Sequence, residues 1–440
     1  MQSLAIGLVE QSPGWEQLLS QEGLYWKKCD LSKPVSVKQF AVIVVNRKLS
    51  EKEQDNLDVF GSTGGEVLHS VETEKKIVSE KIGRKGFRAA GKCLPEQVSK
   101  VDKGTVRKEV AKELRRLLAK RRLPYVQKWF FPKKNVLSFH LDVDNDDVDA
   151  VQRVLESTKE ARLKPTWFVN GKACKEKPVI VSLLEHHNQI IGSHGWEHSV
   201  HKLTAQNSAS IRKSIDFLKK NGVKSVKGYS SPDGHWNTGL EKAMESNKID
   251  YAVCFAKSFL DLPFEINKTM ILGSYPICVG IMKTRDFSER KMKQFFKEAI
   301  DNCLDAEIPC LLYGHPSKRM ERYPKIINFI ADYGRKKGLD IVSLEEYTAW
   351  WRKRSGKNFQ AFVDKGNLVV KTGNNDSDFK LRVVSDGKQR LMPLKSARVR
   401  LKGSSWKKFS EKKTKFTCKG FTRPGVRHIG KRLAGRILGK

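Results

Sequence analysis

Short apolar runs and helix-period segments alternate through the middle of the chain. The runs at 136–139, 166–169, 189–191, 251–255, 310–313 and 341–342 are compact and apolar, as buried strands are. Between them, 147–161, 177–187, 207–221, 237–247, 288–304 and 323–337 repeat apolar residues at helical spacing. Strands alternating with helices over residues 134–353 predict an α/β domain, either a doubly wound sheet or, as the favoured expectation, a distorted parallel (β/α) barrel.

The flanking segments have different patterns. Residues 40–46 read Phe-Ala-Val-Ile-Val-Val-Asn, a buried strand. Ser50 with Glu53 then forms a capping box for a helix, and Gly64-Gly65 precedes a second strand starting at Glu66. This predicts a smaller α/β domain over 1–133. Within it, the basic helix 107–122 carries Val110, Leu114, Leu117 and Leu118 and is expected to dock by that apolar stripe. From 354 onward, apolar runs at 361–363, 367–371, 379–384 and 397–401 are separated by Gly, Asn and Asp, which predicts a small antiparallel β module over 354–440. Its tail, 423–440, places Val426, Ile429, Leu433, Ile437 and Leu438 among Arg and Lys at helical spacing, although Gly430, Gly435 and Gly439 weaken a helix there. A basic amphipathic tail can lie on an anionic membrane surface.

Charge changes the picture of partners. The 440 residues hold 84 Lys and Arg against 49 Asp and Glu, a net +35. Such a balance favours a polyanionic partner: nucleic acid, an anionic membrane or an acidic glycan. The charge is largely scattered and no recognised nucleic-acid motif accompanies it, so nucleic acid is not the expected partner. No apolar stretch approaches the roughly 18–20 residues that span a bilayer. Met1 to Gln11 lacks the basic start of a signal peptide, which makes the cytoplasm the expected location. The eight cysteines include no C-x-x-C pair and no zinc-finger spacing, so reduced core thiols are expected.

The candidate chemistry sits just after the predicted strands. The run 136–139 leads into His140-Leu-Asp-Val-Asp-Asn-Asp146, and the run at 189–191 leads into Gly192-Ser-His-Gly-Trp-Glu-His198. One carboxylate with His194 and His198 makes a three-ligand site for a divalent ion, and a second carboxylate beside it can serve as a general base. The two histidines would share a face if the loop opened as a helical turn. Asp142, Asp144, Asn145 and Asp146 compete for the two carboxylate roles. Strand alternation points Asp142 and Asp144 to the same side, and His140 with them.

These segments resemble the polysaccharide deacetylases that share the chitooligosaccharide deacetylase fold, carbohydrate esterase family 4. The resemblance rests on five ordered motifs: Asp142 and Asp144 in Phe-His-Leu-Asp-Val-Asp; His194 and His198 in the His-x-x-x-His segment; Gly228-Tyr-Ser-Ser-Pro-Asp-Gly234; Leu311-Leu-Tyr-Gly-His-Pro316; and the closing segment 341–352. It implies that Asp144, His194 and His198 hold a divalent metal, zinc being the expected ion. It also implies Asp142 as general base, His315 as proton donor to the leaving amine, and the backbone N–H of Asp233 at the oxyanion. Tyr313 would line the acetyl pocket, and Trp236 is a candidate for a sugar subsite. The implied reaction is metal-dependent removal of acetyl groups from an N-acetylated glycan or a lipid-linked sugar, in a cytoplasmic protein that could be peripheral at the membrane. Two departures stand out: Ser230 occupies the place of the arginine that braces the base in the family, and one residue separates Asp142 from Asp144. They support an alternative, a carbohydrate- or polyanion-binding protein on a degenerate scaffold. The first domain more loosely resembles non-catalytic domains related to class I glutamine amidotransferases; it has no Gly-x-Cys-x-Gly nucleophile elbow.

Overall fold

The structure is a computed structural model, and residues 1–373, 376–402, 405–412 and 414–422 are described. The tail expected over 423–440 lies outside the described residues. The chain divides into two interleaved units. One comprises 1–79, 101–132 and 350–411; the other comprises 80–100, 133–349 and the described residues from 412 onward. One division falls between Pro132 and Lys133. The hairpin Ile82–Ala89/Lys92–Ser99, however, belongs to the second unit, and the strands after 354 belong to the first.

In the first unit, Trp26–Lys28, Ile6–Leu8, Val42–Val45 and Glu66–His69 form a parallel sheet in that order. The expected capping box forms, with Ser50 accepting from the Glu53 N–H and Glu53 reaching back to the Ser50 N–H. The basic helix runs Lys103–Lys120 and buries Val110, Leu114, Leu117 and Leu118, as its stripe predicted. Its Arg107 forms a buried ion pair with Glu22, to which Tyr125 Oη also donates. Among the described residues, the strands after 354 do not form the expected separate β module. Gln360–Asp364 pairs with Gln2–Ser3, and Asp376–Ser385 pairs with Tyr125–Lys128. The physical reason is burial. Ala361, Leu368, Leu381, Val383 and Leu394 are apolar faces too small to form a core alone, and they share one with Leu4, Leu114 and Val126.

The second unit is built on nine strands: β1 (Val136–Val143), β2 (Thr166–Val169), β3 (Ile190–Ser193), β4 (Gly228–Ser230), β5 (Tyr251–Val253), β6 (Phe264–Ile266), β7 (Thr269–Leu272), β8 (Cys310–Gly314) and β9 (Asp340–Ile341). Their order is β6-β7-β5-β4-β3-β2-β1-β8, with β9 also paired to β1, and all pairs are parallel except β6 with β7. Among the described residues the ladder does not close into the expected barrel. Beyond β7, a single backbone bond, Tyr275 N–H to the Leu311 carbonyl of β8 (2.8 Å), bridges toward the other edge without forming a strand pair. In β1, Leu137, Phe139, Leu141 and Val143 enter the main apolar core, while Ser138, His140 and Asp142 alternate with them. Helices Val148–Glu160, Glu289–Ala306 and Pro324–Lys336 pack their apolar stripes onto that core.

The cysteines depart from expectation. Cys93 and Cys418 are joined by a disulfide across 325 residues of sequence, with Cα atoms 6.1 Å apart. Cys418 lies opposite Gly86 in an antiparallel pairing, and a Cβ at Gly86 would meet the Cys93 sulfur, so glycine makes room for the bridge. The remaining six cysteines are free and buried, as expected. No described helix is long and apolar enough to cross a membrane.

Candidate active site

The carboxyl ends of β1, β3, β4 and β8 converge on one cavity of about 430 Å³. The C-terminal edge of a parallel sheet is where α/β folds commonly place their chemistry, because the loops there are free to vary while the strands fix their starting points. Asp142 is the last residue but one of β1, which is buried throughout, and Asp144 follows one residue past the strand. His194 follows β3, Ser230 ends β4, and Tyr313 with His315 lie at the end of β8.

Asp144 is the hub. Its Oδ1 lies 3.4 Å from His194 Nε2 and 3.6 Å from His198 Nε2, and its Oδ2 lies 3.4 Å from His315 Nε2. One ligand atom each from Asp144, His194 and His198 fall within 4.8 Å of one another. His194 and His198 meet through a loop, not through the helical turn considered above. Gly195 turns the chain at φ 75°, and Ser210 Oγ accepts from the Trp196 and Glu197 N–H groups. These residues fit a divalent ion. His194 Nδ1 is 2.8 Å from the Ser230 carbonyl, which fixes a proton there and leaves Nε2 as a ligand. Asp144 Oδ1 is buried without a hydrogen bond, facing both rings. One carboxylate with two imidazoles is a donor set for zinc or a similar ion.

The electrostatics separate the two carboxylates. Burial would raise Asp144, but the His194 ring and the charges of His315 and His198 outweigh it and hold the group well below the usual carboxylate range. Burial pushes Asp142 up to about 6, Asp144 adds to the rise, and His194 and a hydrogen bond from Ser230 oppose it. Burial likewise pushes His315 down to about 3, against the pull of Asp144. His140 is also pushed to about 3 by burial with His194 and His315; it stacks on Tyr313 at 5.5 Å. Two carboxylates with opposed shifts suit two roles, one held charged and one able to exchange a proton near neutral pH.

Residues 132–252 match the polysaccharide deacetylase family model. The matched segment spans β1 to β4 and includes Asp142, Asp144, His194, His198 and Ser230, but not β8 with His315. Solved structures similar to it include a putative polysaccharide deacetylase from Mycobacterium smegmatis, 18% identical over 51% of this chain and 93% of that one, with a TM-score of 0.46. Peptidoglycan deacetylase PdaC from Bacillus subtilis is 14% identical over 51% of this chain and 95% of that one, with a TM-score of 0.36. A CE4 family pseudoenzyme from Bacillus anthracis is 15% identical over 50% of this chain and 66% of that one, with a TM-score of 0.38. No curated protein matches the chain.

The second unit gathers most of the expected residues. Asp142, Asp144, His194, His198, Asp233, Tyr313 and His315 all line the one cavity. Asp233 takes a left-handed backbone, φ 53°, with an exposed side chain. Trp236 is not among the lining residues. Its ring is buried in an apolar cluster, its Nε1 donates to Glu80 (3.2 Å), and Lys257 Nζ covers its face at 5.0 Å, so it packs rather than stacks on a sugar. Sequence reasoning missed Glu96, Lys283, Lys318 and Arg319, which also line the deacetylase cavity. Glu96 arrives on the hairpin strand Lys92–Ser99; burial and the Asp233 charge push it up to about 7. Only the two basic residues close behind His315 offered a sequence signal, their position beside a chemical motif.

Proposed function

We propose that the deacetylase domain hydrolyses acetyl groups from an N-acetylated sugar, with a divalent ion, zinc being the expected one, held by Asp144, His194 and His198. The observation that carries this reading is the convergence of those three ligand atoms within 4.8 Å at the floor of a cavity that also exposes a second buried carboxylate and a further histidine. The ion supplies Lewis acidity that makes water nucleophilic near neutral pH and polarises the amide carbonyl.

The chain's own residues supply the rest. Asp142 takes the proton from the attacking water; at about 6 it is ionised at neutral pH yet more basic than an exposed aspartate. The Ser230 hydroxyl holds that carboxyl where the resembling family has an arginine, and the Ser230 carbonyl orients His194. His315, its ring kept neutral by burial and its Nε2 facing Asp144, passes on to the departing amine nitrogen the proton that Asp142 takes from water. Tyr313 and His140, stacked together, close the apolar wall against which the acetyl methyl rests.

One feature supports the alternative of a binding protein on a degenerate scaffold: Ser230 stands where the resembling family has the arginine that braces the base. Metal analysis with acetate release separates the two. The deacetylase reading requires close to one bound ion per chain, loss of acetate release on chelation, and loss of acetate release in Asp142→Asn. A metal-free protein that binds glycans but releases no acetate from any acetylated sugar would support the alternative.

A further inference from the structure

The deacetylase cavity carries charge that the hydrolysis itself does not use. Arg319, Lys283 and Lys318 line it together with the reactive groups. The Arg319 guanidinium makes no hydrogen bond or ion pair among the described residues, although its charge reaches Asp142 and His315. It is nevertheless held in place. Its backbone N–H donates to Glu321 Oε2 (2.7 Å), and Ser317 before it donates to Asp147 Oδ2 (2.8 Å). Lys318 adopts a left-handed backbone, φ 57°, which is uncommon for a residue that bears a side chain. Lys283 Nζ donates to the Lys318 carbonyl (2.9 Å), tying the short helix Val279–Lys283 to this loop. The Arg319 side chain lies across Gly280, where a Cβ would come within 3.0 Å of its Cδ and Nε. The segment thus gives up side-chain space and backbone ease to present a guanidinium beside the reacting centre.

Resting on the deacetylase reading, we infer that the substrate is an N-acetylated sugar bearing an acidic group, and that Arg319, seconded by Lys283 and Lys318, binds that group. A planar guanidinium without a protein partner suits a carboxylate or a phosphate, each of which it meets with two parallel hydrogen bonds. Glu96, the cavity's other upstream acid, does not compete for it: the charged groups acting on Glu96 are Asp233 and Arg84, not Arg319. The excess of basic residues over acidic ones in the whole chain, 84 against 49, also draws an anionic substrate toward the protein.

The test measures both binding, by titration calorimetry on the metal-loaded full chain, and acetate release. Three ligand arms are used: neutral N-acetylglucosamine oligomers, N-acetylated oligosaccharides carrying a carboxylate, and an N-acetylated sugar carrying a phosphate monoester. One acidic arm is expected to bind about tenfold or more tightly than the neutral arm at low salt, with the advantage shrinking as salt rises. Which acidic arm gains more identifies the group. Arg319→Gln brings the acidic-to-neutral ratio near one, and Arg319→Lys keeps part of it; Lys283→Gln gives an intermediate loss and stands in should an Arg319 variant melt early. Equal affinity for all arms overturns the inference, as does a preference that survives Arg319→Gln in a protein with an unchanged thermal melt. If no arm releases acetate but the acidic preference exists and depends on Arg319, the deacetylase reading fails and this inference stands. If acetate is released without regard to charge, the reverse holds.

Discussion

The floor and the walls of the deacetylase cavity are made in different ways. The floor consists of Asp142, Asp144, His194 and His315, set at the ends of neighbouring parallel strands that pair in strict register, such as Phe168 with Asp142 and Tyr313 with His140. The walls consist of Glu96 from a hairpin far upstream, Asp233 on a tight turn, and Lys283, Lys318 and Arg319 from a short helix and a loop. Floor residues are placed by buried strands, so their chemistry depends on little beyond the sheet. Wall residues are placed by local ties, such as Lys283 to the Lys318 carbonyl, and can vary without disturbing the floor. Reactivity should therefore fail abruptly when the floor is altered, and selectivity or stability should change gradually when the walls are.

The largest effect belongs to His194→Ala. Its Nε2 faces Asp144 and its Nδ1 is tied to Ser230, so no neighbour can substitute for it. Acetate release should become undetectable and bound metal should fall well below one per chain by elemental analysis. Retention of stoichiometric metal would separate the floor from metal binding and break the comparison at its strongest point.

Asp142→Asn is expected to keep the metal and lose about 10²–10⁴-fold in kcat, the usual worth of a general base. The wild type should show an acid limb in kcat/KM, with activity rising as pH increases through about 6, because the ionised carboxyl is the working form. The stability consequence has the opposite sense. Asp142 binds its proton more tightly in the folded protein than in the unfolded chain, so its contribution to stability falls as pH rises from about 4 toward about 6. The metal-free Asn variant should thus be no less stable than wild type at neutral pH in urea melts, which distinguishes lost chemistry from lost fold.

Much of the floor was legible because strand ends print their chemistry in short contiguous segments. The apolar run of β1 leads directly into Asp142 and Asp144, and that of β3 into His194. The walls were not legible because their residues meet only in space. Nothing around Glu96 in the sequence distinguishes it from any surface glutamate; the hairpin that delivers it was assigned to the first domain because it precedes that domain's basic helix in the chain. The barrel expectation did not hold among the described residues, because alternating strands and helices give the parallel order but not whether the two edge strands pair. Strand alternation after 354 gave the strands, yet alternation cannot say which core an apolar face enters, and here it enters the core shared with Leu114 and Val126.

The disulfide tests how firmly the hairpin wall is anchored. Cys93→Ser should destabilise the protein by about 2–4 kcal/mol, read from denaturant midpoints, because the bridge closes a very long loop. Thiol titration of unfolded, unreduced protein should count six reactive cysteines, rising to eight after reduction. Eight without reduction would leave the hairpin held by noncovalent ties alone, among them its strand pairing with Thr417–Cys418 and the Ala90 N–H bond to Glu298.

The smallest effect is the one most specific to the walls. Glu96 is pushed up to about 7 by burial and by Asp233, so in the folded protein it resists the ionisation that the unfolded chain allows near 4.5. Its contribution to stability therefore falls as pH rises between those values. Glu96→Gln removes the burden while keeping a carbonyl to accept from the Gln97 N–H, which Glu96 Oε1 now does at 2.8 Å. The variant should be more stable than wild type at pH 8 by about 1–2 kcal/mol after allowance for its partial exposure, and indistinguishable from it at pH 4. Paired urea melts at the two values measure this directly. A gain that is equal at both values would show that Glu96 packs poorly rather than ionises reluctantly, and a loss at pH 8 would mean that its charge is used by the wall, making it part of the recognition surface that Arg319 begins.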